Sequence, residues 1–148
     1  MAENFKKKIC LITGARTGIG LSIGQTLAKN GYRVIFSGRS VNDCKDTVNE
    51  LMANGLEAVE APIDLSNLSS LKEQVEMALS IWGTVDILIN NAGVGITGPL
   101  EETPNSEIEK HFKTNLYGPI NLIKKVLPHM RKNNNGLIIN ITLSLIHI

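Results

Sequence analysis

The sequence predicts a doubly wound α/β fold, a parallel sheet in the order 3-2-1-4-5 covered by helices on both faces. Three observations carry this. Short apolar runs alternate with helical periods in the order βαβαβαβαβ. Strands 1, 2, 4 and 5 are continuous apolar runs, as expected where both faces are covered. The connections are long enough for right-handed crossovers between parallel neighbours.

The elements follow in order. Ile9 to Thr13 reads as the first strand. Ile19, Ile23 and Leu27 recur every four residues and form one helical stripe, closed by Asn30-Gly31. Arg33 to Ser37 is the second strand. Cys44, Val48 and Leu51 mark the second helix, closed by Asn54-Gly55. Glu57 to Ala61 is a weaker third strand. Leu68, Leu71, Val75, Leu79 and Trp82 form a third stripe, ended by Gly83, and Asp86 to Asn90 is the fourth strand. A long helix then runs to about Lys132, with Thr103 as N-cap, Pro104 in its first turn and a bend at Gly118-Pro119. Asn133 to Gly136 is a turn, and Leu137 to Ile141 the fifth strand.

Composition bounds the function. The 148 residues are 43% hydrophobic and 20% charged, with a net charge of +1. That balance is globular and gives no reason to expect nucleic acid or an anionic membrane as partner. The basic run Lys6-Lys7-Lys8 precedes an apolar stretch too short for a signal segment, and nothing approaches membrane-spanning length. A cytoplasmic location is expected. Cys10 and Cys44 make no disulfide framework, and their spacing fits no metal site. The three histidines are scattered and take no role.

Strand 1 runs directly into Thr13-Gly14-Ala15-Arg16-Thr17-Gly18-Ile19-Gly20, where a helix opens. Gly14 permits the tight turn. Gly18 removes a side chain so that backbone N–H groups can approach a pyrophosphate. Gly20 allows close helix packing. The helix N-terminus adds unsatisfied donors and partial positive charge. A glycine triplet alone is a weak signal; its place between strand and helix in a βαβ unit makes the nucleotide reading the stronger one.

The spacing is G-x-x-x-G-x-G. With Asn90-Asn91-Ala92-Gly93 after strand 4, it resembles the compact single-domain branch of the short-chain dehydrogenase/reductase family. The resemblance covers Lys7 to Thr142 and implies an NAD(P)-dependent oxidoreductase on a Rossmann sheet whose later strands and helices lie outside this chain. Two further motifs agree. Asp64-Leu65 stands at the close of strand 3, where the family places an Asp beside the adenine. Asn115 in Asn115-Leu116-Tyr117-Gly118 stands where the family carries a catalytic Asn that holds a water in the proton relay. Each has a plainer reading too: Asp64 as a carboxylate at a helix start, Asn91 as a bridge between strands, Asn115 as a polar helix residue. By the resemblance, Gly14, Arg16, Thr17, Gly18, Ile19, Gly20, Ser37, Arg39, Asp64, Leu65, Asn91, Ala92 and Gly93 contact the cofactor.

The second strand ends Phe36-Ser37-Gly38-Arg39. An NAD-selecting enzyme usually has a carboxylate where Gly38 stands. A guanidinium at Arg39, helped by Arg16, can pair with a 2′-phosphate instead, which favours NADP over NAD.

The family's chemistry resides in a Tyr-x-x-x-Lys motif and a Ser on strand 5. Four residues after Tyr32 and Tyr117 stand Phe36 and Asn121, so neither begins the motif. Asn140-Ile141-Thr142-Leu143 puts Leu where the Ser is expected, and Ser144, one residue late, faces the other way on a strand. Residues 143–148 do not resemble the family. They match the translation of CTG TCT CTT ATA CAC ATC, a library-preparation adapter, so residues 1–142 are expected to be an incomplete nucleotide-binding domain and 143–148 a non-native tail. An open apolar strand 5 and an unpaired long helix then predict non-native association. The expected activity is hydride transfer between nicotinamide and a small carbonyl or alcohol in a homo-oligomeric parent enzyme, this fragment binding cofactor without turnover. The alternatives are a non-catalytic regulatory nucleotide-binding module and an interaction protein on the same scaffold; the intact glycine loop argues against the last.

Overall fold

The computed structural model describes residues 7–142. Five parallel strands, β1 (Ile9–Thr13), β2 (Arg33–Ser37), β3 (Ala58–Glu60), β4 (Ile87–Asn90) and β5 (Leu137–Asn140), lie in the order β3-β2-β1-β4-β5. The helices are α1 (Gly18–Lys29), α2 (Lys45–Ala53), α3 (Leu68–Trp82), α4 (Asn105–Phe112) and α5 (Gly118–Lys132). Fold and strand order are as the sequence predicts.

Alternation along β1 builds two cores. Ile9 and Leu11 face Leu71, Val75, Leu122 and Val126 of α3 and α5. Cys10 and Ile12 face Ala28 of α1 and Val48 and Leu51 of α2. All five residues of β1 are buried, which explains the unbroken apolar run. Fully burying an Ile or Leu contributes about 1.5–3 kcal/mol, so this strand anchors both layers.

Four local expectations are corrected. The residues of α1 that bury fully are Gly20, Gly24 and Ala28, whereas Ile19 is 64% exposed and Ile23 and Leu27 are half-buried. Small residues bring the helix axis close to the sheet: a Cβ on Gly24 would fall 2.3 Å from the Phe36 ring. The third strand ends at Glu60, although the chain stays bonded to β2 through Ala61 N–H to Phe36 O (3.0 Å) and Ile63 N–H to Gly38 O (2.8 Å). Pro104, not Thr103, is the N-cap of α4; Thr103 closes a preceding 3₁₀ turn, its hydroxyl donating to Pro99 O at 3.0 Å. Finally, the long helix is two helices joined by a π turn, Lys113–Tyr117. Pro119 has no N–H for the carbonyl of Asn115, so the α ladder cannot continue there and the turn widens. β5 lies at the sheet edge with Leu137 half exposed. The tail 143–148 lies outside the described residues.

Candidate nucleotide-binding site

The three loop glycines are needed for three different reasons. Gly14 has φ +64°, and a Cβ there would lie 2.7 Å from Ala92 Cα. Gly18 has φ +61° and nothing within 4 Å of its absent side chain, leaving open space before the first turn of α1. A Cβ on Gly20 would meet Asn91 Nδ2 at 2.4 Å and Gly14 O at 2.6 Å. Gly20 thus lets the helix sit on the loop and β4, while Gly24 provides the contact with β2. Thr17 caps α1 without a side-chain bond, and the first turn has no acidic residue. The donors and partial positive charge of the helix end therefore meet no carboxylate from the helix's own first turn.

The floor under this loop is a polar clamp between β1 and β4. Asn91 Nδ2 donates to Thr13 O (3.0 Å) and Gly14 O (3.1 Å). Thr13 Oγ1 accepts from the backbone N–H of Asn91 and of Ala92, both at 3.1 Å. The side chain of Asn91 is thus occupied in holding the two strand ends together. Sequence reasoning missed Thr13; the signal was a buried hydroxyl residue at the last strand position before Gly14.

A cleft of about 300 Å³ opens here, lined by Gly14, Arg16, Thr17, Arg39, Asp64, Leu65 and Asn91 to Gly93. Asp43 of the turn after β2, Lys110 of α4 and Thr114 of the π turn also line it and were not foreseen, because only the fold brings them to the strand ends. Among the described residues, Arg16, Arg39 and Lys110 form no salt bridge. Asp64 is locally fixed: its N–H donates to Gln74 Oε1 (2.9 Å), and its Oδ1 accepts from Ser66 N–H (3.0 Å) and Ser66 Oγ (2.7 Å). Ser37 is fully buried, its carbonyl accepting from Ala15 N–H at 2.9 Å, and does not line the cleft. Ile19 also lies outside the lining, on the exposed first turn of α1.

A second cleft of about 480 Å³ shares Ala92 and Gly93 and extends between β4, β5 and α5. Asn115 lines it, its Oδ1 accepting from Val94 N–H (2.9 Å) and its Nδ2 donating to Val94 O (2.8 Å). The His111 ring lies one helical turn earlier, with Nδ1 3.2 Å from Asn115 Nδ2. Leu116, Ile120 and Ile123 give the wall an apolar character, while Asn90 Nδ2 donates to Asn140 Oδ1 (2.8 Å) at the strand ends. The site therefore joins an open helix N-terminus, a cleft lined by Arg16, Arg39 and Lys110 as well as by Asp43 and Asp64, and an adjoining apolar chamber.

Comparisons with known proteins agree with this geometry. The sequence model described as short chain dehydrogenase matches residues 8–145. The ketoacyl reductase HetN of Nostoc sp. is 38% identical over 134 residues, which are 90% of this chain and 47% of that protein. The 3-oxoacyl-[acyl-carrier-protein] reductase FabG of Staphylococcus epidermidis is 36% identical, over 91% of this chain and 56% of its own. The chain spans about half the length of the curated relatives it matches. Among solved structures, a metagenomic short-chain oxidoreductase in complex with NADP superposes with a TM-score of 0.85 at 34% identity, covering 91% of this chain and 62% of that one. The fold, the glycine loop and these matches together establish that the chain belongs to the short-chain dehydrogenase family.

Proposed function

We propose that this chain is the NADP-binding part of an oxidoreductase acting on a small carbonyl or alcohol, and that it binds cofactor without turning over substrate. The observation that carries the reading is the 300 Å³ cleft, which combines the open N-terminus of α1 with Arg16 and Arg39. The residues fit a dinucleotide. The space before Gly18 admits a pyrophosphate to the helix donors. Arg39 and Arg16 offer charge-assisted bonds to a 2′-phosphate, and Asp64 with Leu65 borders the adenine side. Solved relatives in complex with NADP or NADPH support the choice of cofactor.

When bound, the nicotinamide supplies or accepts hydride; the chain's own residues position and shield it. Asn91 and Thr13 hold the floor, and Asn115 fixes the loop at Val94 through both of its side-chain atoms. Asn115 stands where the family holds a water in its proton relay. The apolar chamber beside it suits a small hydrophobic carbonyl or alcohol. No Tyr-x-x-x-Lys motif occurs in these 148 residues, so the proton donor of the family mechanism has no counterpart here. We assign the parent enzyme to the cytoplasm, in keeping with two free buried thiols, and to a homo-oligomer.

The test is fluorescence titration of NADPH and NADH with the wild-type chain and Arg39→Asp. NADPH affinity should fall by roughly 10–100-fold, the worth of a charge-assisted pair, with NADH nearly unchanged. Equal losses for both would remove the assignment.

A further inference from the structure

The turn that presents Arg39 is built around a carboxylate. Between β2 and α2, Gly38 O accepts from Ile63 N–H at 2.8 Å. Asp43 Oδ2 accepts from Ser40 N–H at 3.0 Å, and Asp43 N–H donates back to Ser40 O at 3.3 Å. Glu60 Oε1 then takes Cys44 N–H at 2.8 Å. Asp43 fills the space a side chain at position 38 would need: a Cβ on Gly38 would lie 2.3 Å from Asp43 Cβ and 2.7 Å from its Oδ2. The same Asp43 lines the cleft with Arg16 and Arg39.

That placement has an electrostatic cost. A carboxylate bordering a site for a dianionic phosphate repels it, so on charge alone the cleft would bind NADP better without Asp43. Its geometry supplies the compensation. Asp43 closes the turn across Ser40, the residue next to Arg39, and limits the conformations from which the guanidinium can reach the cleft. Resting on the nucleotide reading above, we propose that Asp43 is a positioning residue for 2′-phosphate recognition, acting by holding the Gly38–Cys44 turn that aims Arg39. Gly38 then serves twice. It places no carboxylate of its own against the phosphate, and it leaves room for Asp43 to fold back.

The sign of one substitution separates this from simple charge. NADPH and NADH are titrated against the wild-type chain, Asp43→Ala, Asp43→Asn and Gly38→Ala. Asp43→Ala should weaken NADPH about tenfold, the value of one lost ordering contact, while NADH stays within about twofold and thereby reports an intact fold. Asp43→Asn keeps a side-chain oxygen for Ser40 N–H and should retain wild-type NADPH affinity or better. Gly38→Ala, which drives a methyl into Asp43, should copy Asp43→Ala. Tighter or unchanged NADPH binding by Asp43→Ala would overturn the proposal, as would Asp43→Asn binding as weakly as Asp43→Ala, or Gly38→Ala binding NADPH like wild type. Parallel loss of NADH and NADPH would make Asp43 a general structural residue and also overturn it. If the wild-type chain binds neither nucleotide, the nucleotide reading itself fails and this proposal falls with it.

Discussion

Single residues in this chain are placed by what they exclude as much as by what they bond. Gly14 and Gly20 exclude a Cβ because Ala92, Asn91 and the loop's own carbonyl stand in the way, and Gly18 because its φ is +61°. The two cysteines are a second case. Burial pushes the Cys10 thiol up to about 12 from 9.0. Burial, then the Glu60 and Asp43 carboxylates, push Cys44 to about 11, with Arg16 opposing. Each folded thiol holds its proton more tightly than the unfolded one. Their stabilising contribution is therefore complete below pH 9 and declines as pH rises from 9 toward 11 and 12. In thermal melts from pH 7 to 11, Cys10→Ala should start lower in Tm, by the equivalent of about 1–2 kcal/mol for a small cavity. The gap to wild type should then narrow above pH 9. A gap that stays constant across that range would contradict the burial argument.

At the scale of elements, the decisive feature is the π turn between α4 and α5. It brings Asn115 to Val94 and packs Gly118 against Leu65, where a Cβ would be 2.6 Å from Leu65 Cβ. One missing donor accounts for it: a proline four residues after Asn115 interrupts the α ladder. Pro119→Ala restores that N–H and should tighten the turn, rotating Asn115 out of register with Val94. Two hydrogen bonds worth about 0.5–1.5 kcal/mol each would be lost, so the Val94 amide should exchange roughly tenfold faster. Unchanged protection at Val94, measured by NMR, would show that the turn is held by packing alone. α1 gives a related lesson. Its Ile19–Ile23–Leu27 stripe is real in the sequence but sits beside the contact, because Gly20, Gly24 and Ala28 let the backbone approach.

At the scale of the molecule, β5 forms an edge of the sheet with Leu137 50% and Ile139 39% exposed. Across the α4 to α5 surface Phe112, Leu116, Tyr117 and Ile120 are exposed as well. An apolar, unpaired strand edge is a template for association. Light scattering of the 148-residue chain should show concentration-dependent association. Leu137→Lys with Ile139→Lys should reduce it severalfold, since charge on an edge strand opposes pairing. If the double variant associates as strongly as wild type, the α4–α5 surface is the contact instead.

Strand order, the parallel sheet and the glycine loop were legible in the sequence because they rest on local rules: period, turn chemistry and chain direction. Arg16 and Arg39 were read from their places after the first and second strands, and Asp64 and Asn91 to Gly93 from the family resemblance; the fold brings all of them to one cleft. What the sequence by itself determined is therefore the scaffold and one rim of the cleft. The tertiary structure decided the rest. It turned Ser37 inward, set Thr13 under Asn91, brought Lys110 over the strand ends and folded Asp43 into the space beside Gly38. Those placements depend on contacts between elements far apart in the chain or on the path of a loop, and no local periodicity encodes either.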